Sequence, residues 1–192
     1  KSIIDTCDNT KQIEAIFVID DDDTESISFI NNLAEKVDLT IKSVVVERNK
    51  FIFSDLANQA LTVAEGELFL AIGDDGVFKS NAHQLAGHLA VHKNWIDTVG
   101  YFSPPWFNGD WGDWWLTHIG DGAGRRKYRQ DIVIEHLNIQ FNKAEPDETY
   151  HQHKLRREAF GSPNSNPDHP FNTKKHVMKK NIDDLVDFIN KH

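Results

Sequence analysis

The chain is poor in cysteine and in long apolar runs. Cys7 is its only cysteine, which excludes an intrachain disulfide and a zinc site built from cysteines and is compatible with a reducing compartment. No apolar stretch approaches the roughly 18 residues that a membrane-spanning helix needs, and the first residues lack the apolar run of a signal peptide. We therefore expect a cytoplasmic protein without a membrane span.

Positive charge is also scarce. The 192 residues carry 21 Lys and Arg against 30 Asp and Glu, a formal net charge of −9. Such a surface repels a polyphosphate backbone, which argues against generic nucleic-acid binding. A carboxylate-rich protein needs a cation to hold an anionic small molecule, so we expect a divalent metal site. The length and the hydrophobic fraction of 39% suit a globular domain with a sizeable core.

Apolar periodicity in the first 72 residues alternates between strand and helix. Continuous apolar runs predict strands at 15–19, 40–46 and 68–72, and helical spacing of apolar residues predicts helices at 26–37 and 53–64. This order is typical of a mainly parallel sheet that is covered by helices. The sequence therefore predicts an α/β fold.

Acidic clusters follow two of these strands at the point where each ends. Four aspartates, 20–23, come directly after the first strand, and Asp74 and Asp75 come after the third. Because ligands bind at the carboxyl ends of parallel strands, we expect both clusters at one edge of the sheet. An alternative interpretation is structural: Asp23 or Thr24 would cap the next helix, and Asp75 would form a turn with the glycine after it.

The rest of the chain has a different character. All five tryptophans lie within residues 95–115, where prolines and glycines predict a shaped loop region. The pattern then predicts a strand at 131–137, a helix at 145–157, a loop at 161–172 and a docked amphipathic helix at 181–189. We expect a main domain at 1–160, followed at 161–192 by a linker and that helix.

The first acidic cluster lies in a stretch that resembles family 2 glycosyltransferases of the GT-A fold. FVIDDDDTES (17–26) resembles the second strand and the nucleotide-contacting turn of that family. The resemblance implies that Asp20 and Asp21 contact the base or ribose of a nucleotide. It also implies a nucleotide-facing role for Arg48, which follows the next strand.

Two further stretches are similar to the metal-binding parts of the same fold. GELFLAIGDDGVF (66–78) resembles the strand that ends in a DxD-like motif, which implies Asp75 as a ligand of Mn²⁺ or Mg²⁺. A glycine replaces the usual first aspartate of that motif, so the ribose contact passes to Asp74. In YRQDIVIEHLNIQFNKAEPDETY (128–150), His136 matches a histidine that completes the metal site in some of these enzymes, although a histidine in a strand can also be structural.

A tryptophan-rich stretch resembles the acceptor side of the fold. In WFNGDWGDWWLTHIG (106–120), Asp113 matches the acidic residue that acts as general base just ahead of a helix, with Asp110 as the second choice. Trp111 and Trp114 are expected to form a flat surface against which a sugar or base stacks. The structural alternative is that Asp113 caps a helix whose tryptophans belong to the core.

These resemblances imply a metal-dependent glycosyltransferase, similar to short virus- or phage-encoded ones, that moves a sugar from a UDP- or GDP-sugar to a hydroxyl of a glycan, nucleobase or protein, with inversion. Residues 1–18 resemble the end of the first helix followed by the second strand, so the expected fold is a GT-A domain that either lacks its first strand or completes its sheet differently. Two alternatives stay open. One is a sugar-phosphate nucleotidyltransferase, and the other is a non-catalytic carbohydrate-binding domain.

Overall fold

A computed structural model describes residues 2–48, 53–72, 76–79, 90–107, 111–127, 133–137, 145 and 148–192. Its helices and strands alternate up to residue 70, as expected for the α/β class. In chain order they are α1 (Ser2–Thr6), a 3-10 turn (Thr10–Gln12), β1 (Glu14–Asp20), α2 (Thr24–Ala34), β2 (Thr40–Val46), α3 (Phe53–Ala60), β3 (Leu68–Leu70), β4 (Gly76–Lys79), β5 (Ala90–His92), α4 (Lys93–Val99), α5 (Gly112–Gly122), β6 (Val133–His136), α6 (Glu148–Phe160), α7 (Pro170–Thr173) and α8 (Lys175–Lys191).

The first half contains a parallel strand–helix–strand unit. β1 and β2 pair in parallel, from Glu14 opposite Thr40 to Asp20 opposite Val46, and α2 crosses between them. Ile19, Ile30 and Val46 are buried, one from each element, because the apolar face of α2 covers the two strands. The strands and helices predicted for residues 15–60 are confirmed within a few residues.

The described strands do not form the single, mainly parallel sheet that we expected. They form three two-stranded sheets, of which β1–β2 is parallel while β3–β5 and β4–β6 are antiparallel. The chain before β3 is attached to β1 by a side chain: the Glu14 carboxylate accepts the backbone N–H groups of Glu65 and Gly66, at 2.6 Å each. In the described part, β3 pairs with β5, and the two strands are antiparallel. The mixed α/β class is confirmed.

Aromatic side chains form a buried cluster in the described part of the second half. Phe107, Trp115 and Ile119 are completely buried and meet Leu185 of α8, which packs against α4 and α5. The predicted amphipathic helix is confirmed, and it is longer than its apolar pattern indicated. The division of the chain at residue 160 stays a prediction.

The tryptophan-rich region is more regular than a loop. Trp95 lies on α4. His92 caps the first turn of this helix, and Gly100, a residue in the left-handed conformation, follows its last residue. Trp95 and Val99 are one helical turn apart and both pack on the aromatic cluster, which explains why this stretch is helical. None of the described helices is long and apolar enough to cross a membrane.

Candidate functional site

The carboxyl ends of β1 and β2 bring the first acidic cluster and Arg48 together. The backbone N–H of Asp21 donates to the Val46 carbonyl oxygen at 2.7 Å, which extends the parallel pairing by one residue. The backbone N–H of Arg48 donates to Asp21 Oδ1 at 3.2 Å, and its Nη1 donates to Asp22 Oδ2 at 2.7 Å. Asp20, Asp21 and Arg48, which the sequence assigned to nucleotide binding, therefore lie at one edge of this sheet.

The guanidinium of Arg48 lies close to several carboxylates of the turn. The hydrogen bond and charge of Asp22, together with the charges of Asp20 and Asp23, raise the pKa of Arg48. Asp23 caps α2, because its Oδ1 accepts the Ser26 backbone N–H at 3.0 Å, and this bond lowers the pKa of Asp23. The capping role that the sequence left open for Asp23 is confirmed.

The Arg48–Asp22 pair is open to solvent. The side chain of Arg48 is 61% exposed and that of Asp22 is 50% exposed, so water screens their attraction and the pair adds little to stability. The guanidinium can therefore exchange Asp22 for an anionic or planar ligand at a small cost. Asp21 keeps a second oxygen, Oδ2, with which it can accept a hydrogen bond from a hydroxyl group.

The metal prediction is only partly covered by the described residues. Asp74 and Asp75 lie outside them, as does the side chain of His136. The backbone of β4 begins at Gly76, the residue after Asp75, and Gly76 is directly opposite His136 in the antiparallel β4–β6 pair. Among the side chains that the structure describes, no three His, Cys, Asp or Glu residues form a group that could hold a metal ion.

The acceptor-side prediction falls on the first turn of α5. Asp113 is exposed there, and its Oδ1 accepts the Trp114 backbone N–H at 2.8 Å. Trp114 is 57% exposed, stacks in an offset manner on His118 and meets the ring of Trp111 at an angle of 65°. Asp110 lies outside the described residues.

The five tryptophans divide between core and surface. Trp115 is completely buried, whereas Trp95, Trp106 and Trp111 are partly buried against the aromatic cluster. Only the exposed ring of Trp114 offers a broad surface to a ligand. The structural alternative in which tryptophans belong to the core is therefore confirmed for Trp115, and the flat surface of the predicted site depends on Trp114.

His118 is a residue of this surface that the sequence did not single out. Its Nδ1 is 2.8 Å from the Trp114 carbonyl oxygen. Because a carbonyl oxygen only accepts, Nδ1 carries the proton in this hydrogen bond and Nε2 is left as an acceptor. The spacing of four residues from Trp114 was the available signal, since residues four apart are neighbours on a helix surface.

Helix α3 connects the two parts of the site. It packs against β1, and it fastens the segment before α5 through two polar side chains. Asn58 Oδ1 accepts the backbone N–H groups of Phe102 and Ser103 at 3.0 Å each, and buried Ser54 donates its hydroxyl to the Phe107 carbonyl oxygen at 2.7 Å. Ser54 and Asn58 are four residues apart, and this spacing, which makes them neighbours on one side of the helix, was the signal that the sequence offered.

The fold and the site define the chain as a mixed α/β protein with an acidic turn and a partly exposed aromatic surface. Comparison with protein-family models, with curated proteins and with solved structures gives no match. The functional assignment therefore depends on the residues of the chain itself and on the resemblance of their motifs.

Proposed function

We propose that the chain is a metal-dependent glycosyltransferase of the GT-A type, which moves a sugar from a nucleoside diphosphate to an acceptor hydroxyl. The observation that carries the proposal is the pairing of β4 with β6. It puts the backbone of His136 opposite Gly76, the neighbour of Asp75, although the two segments are 60 residues apart in sequence. The resemblance implies that Asp75 and His136 bind the same cation, and the pairing brings their two backbone segments together.

The predicted ligands suit the expected metal. Carboxylate oxygen is the preferred ligand of Mg²⁺ and Mn²⁺, and a neutral imidazole is also a competent ligand of Mn²⁺. When bound, the cation neutralises charge that develops on the diphosphate leaving group. In a chain of net charge −9, this neutralisation is what allows an anionic donor to bind at all.

The protein residues supply binding on the donor side and proton transfer on the acceptor side. Asp20 and Asp21 accept hydrogen bonds from the nucleotide, and the exposed guanidinium of Arg48 faces it. Asp113 removes the proton of the acceptor hydroxyl as the oxygen attacks the anomeric carbon, and the bond from that carbon to the diphosphate breaks with inversion. Trp114 stacks against the acceptor and holds its hydroxyl near Asp113.

Calorimetry with Mn²⁺ and UDP or GDP tests the metal assignment. We expect nucleoside diphosphate binding to require Mn²⁺ and to weaken at least about tenfold in Asp75→Asn, which replaces an anionic ligand with a neutral one, and in His136→Ala, which removes a ligand. Asp97→Asn is the matched control, since it removes an exposed carboxylate of α4. Affinities equal to that of the wild type in both site variants would contradict the proposal.

Asp113→Asn tests the general base. The amide keeps the shape of the side chain but cannot take the proton, so turnover should fall by roughly 10²- to 10⁴-fold while the affinity for the donor stays near that of the wild type. Steady-state kinetics and donor calorimetry measure the two quantities. If donor binding fell and turnover did not, Asp113 would be a donor-side residue and Asp110 the next candidate for the base.

A carbohydrate-binding domain is the second candidate, and the exposed ring of Trp114 beside His118 favours it. Such a domain would bind a glycan without metal or nucleotide. The two candidates separate when glycan binding is measured with Trp114→Ala in the presence of a chelator. Binding that depends on Trp114 and ignores both Mn²⁺ and nucleoside diphosphate would replace the transferase proposal.

A further inference from the structure

The residue just before α5 has an unusual backbone conformation. Trp111 is in the left-handed region, with φ 71° and ψ −5°, and it is the one non-glycine residue with positive φ in the part of the chain that the structure describes. Bulky side chains rarely adopt this conformation, and it persists only where surrounding contacts enforce it. Asp113 follows two residues later, so the conformation of Trp111 sets the direction of the turn that carries Asp113.

His169 is the buried polar residue in contact with Trp111. The His169 side chain is completely buried, and its ring meets the Trp111 ring edge-on, with centroids 5.6 Å apart. The rings of Phe107 and Phe160 pack on it from other sides, at 6.0 and 5.0 Å. An imidazole locked among three rings in this way can hold a neighbouring indole in one place.

The hydrogen bond of His169 determines which nitrogen of the neutral ring carries the proton. Nδ1 accepts the Phe171 backbone N–H at 3.1 Å and so caps α7. In the neutral ring the proton is therefore on Nε2, which has no hydrogen-bond partner among the described residues. Asparagine could cap the helix but not fill the space between the rings, and phenylalanine could fill the space but not cap. Histidine does both.

We infer that His169 is a positioning residue: its neutral ring holds Trp111 in the left-handed conformation and thereby fixes the start of α5, where Asp113 lies. The positioning of Trp111 is independent of the proposed function, whereas its effect on Asp113 as a base rests on that function. His169 touches neither a substrate nor a reacting atom in this scheme. It acts only through Trp111.

Protonation of His169 should release Trp111. A proton added to Nδ1 removes the acceptor of the Phe171 N–H, and burial lowers the pKa of His169 because the charged ring would lose its water. The rings of Phe107, Trp111 and Phe160 carry no titrating group that could balance the charge, and the neighbouring Asp168 is exposed. The arrangement is therefore intact above the ordinary histidine pKa of 6.5 and is lost as the pH falls through the lower pKa of the folded-state ring.

NMR of the tryptophan indole N–H groups, from about pH 7.5 to about pH 5, tests this inference across the histidine range. In the wild type, the Trp111 signal, assigned with Trp111→Phe, should shift together with the His169 ring signals. In His169→Phe, it should not titrate. In His169→Asn, which keeps the cap and loses the ring, it should already be displaced at neutral pH. His92→Phe is the matched control, because His92 caps α4 in the same way at an exposed position.

A Trp111 signal in His169→Asn that coincides with the wild type would overturn the inference, as would an unchanged titration in His169→Phe. If the chain shows transfer activity, the acid limb of turnover should follow the Trp111 signal in the wild type and disappear in His169→Phe, with the affinity for the donor unchanged. If it shows none, the proposed function fails while the NMR result still decides the role of His169.

Discussion

The acidic turn and the aromatic cluster are built in opposite ways. At the turn, Arg48 and Asp22 meet with half or more of each side chain in water, and their partners can exchange. In the cluster, Phe107 and Trp115 have no exposed surface, and each ring is fixed by others. A binding protein needs both kinds of region. A ligand is bound by side chains that can change partners, whereas a strained residue such as Trp111 keeps its conformation only where the surrounding side chains cannot move.

We expect the largest change in stability when a buried tryptophan of the cluster is replaced, and a neighbouring exposed tryptophan provides the comparison. Trp115→Ala should reduce the free energy of unfolding by about 3–5 kcal/mol, because it leaves a cavity among buried rings. Trp114→Ala removes the same side chain from an exposed position and should change it by about 0.5 kcal/mol or less. Urea denaturation measures both, and similar losses would show that the exposed surface of α5 is also part of the core.

The next largest change in stability is expected when the hydrogen bonds of the Tyr101 hydroxyl inside the cluster are removed. The Tyr101 hydroxyl donates to Asn181 Oδ1 at 2.7 Å and accepts the Trp115 indole N–H at 3.0 Å. Tyr101→Phe leaves both partners without the hydroxyl and should cost about 1–3 kcal/mol of unfolding free energy. Burial raises the pKa of Tyr101 to about 12, so the loss should be the same at pH 6 and at pH 9. A loss that appears only at one of these pH values would contradict this explanation.

Residues of the β1–β2 unit and of the aromatic cluster differ in how far the sequence predicts them. Apolar runs and helical spacing predicted the β1–α2–β2 unit, and its parallel order brought Asp20 near Arg48. No local pattern reports that β3 pairs with β5 or that β4 pairs with β6, because these contacts join distant segments. Pro170 was a missed signal, since a proline in the first turn of α7 marks the preceding His169 as its cap.

The amino-terminal sheet should show a pH dependence in the carboxylate range. Burial alone would raise the pKa of Glu14, but hydrogen bonds from Lys42, Gly66 and Glu65 outweigh it and lower the pKa. The unfolded chain therefore binds more protons near the ordinary value of 4.5, so the contribution of Glu14 is complete above that pH and is lost below it.

Glu14→Gln should reduce the free energy of unfolding by about 1–2 kcal/mol at pH 7, where charged hydrogen bonds are replaced by neutral ones. The difference from the wild type should shrink as the pH falls below 4.5. Denaturation at several pH values measures it, with Glu67→Gln as an exposed control. A difference that is independent of pH would show that the carboxylate charge is unimportant here.

The acidic turn should contribute little to stability. Arg48→Gln breaks an exposed ion pair and should leave the unfolding free energy close to that of the wild type, and closer still at high salt. The same variant should weaken nucleoside diphosphate binding about tenfold if Arg48 faces the nucleotide as proposed. Denaturation measures the change in stability, and calorimetry on the same sample measures the change in affinity. A large loss of stability with unchanged affinity would show that Arg48 supports the fold and does not bind the nucleotide.

The position of Leu185 in the aromatic cluster also affects how the chain folds while it is being synthesised. Leu185 follows Trp115 by 70 residues and closes the cluster from α8. At ordinary elongation rates, roughly 4–14 s pass between the synthesis of these two residues. During that time the rings of residues 106–119 lack their covering helix while the β1–α2–β2 unit is already complete. Chaperones that recognise exposed aromatic segments should therefore meet this chain chiefly at that stage of translation.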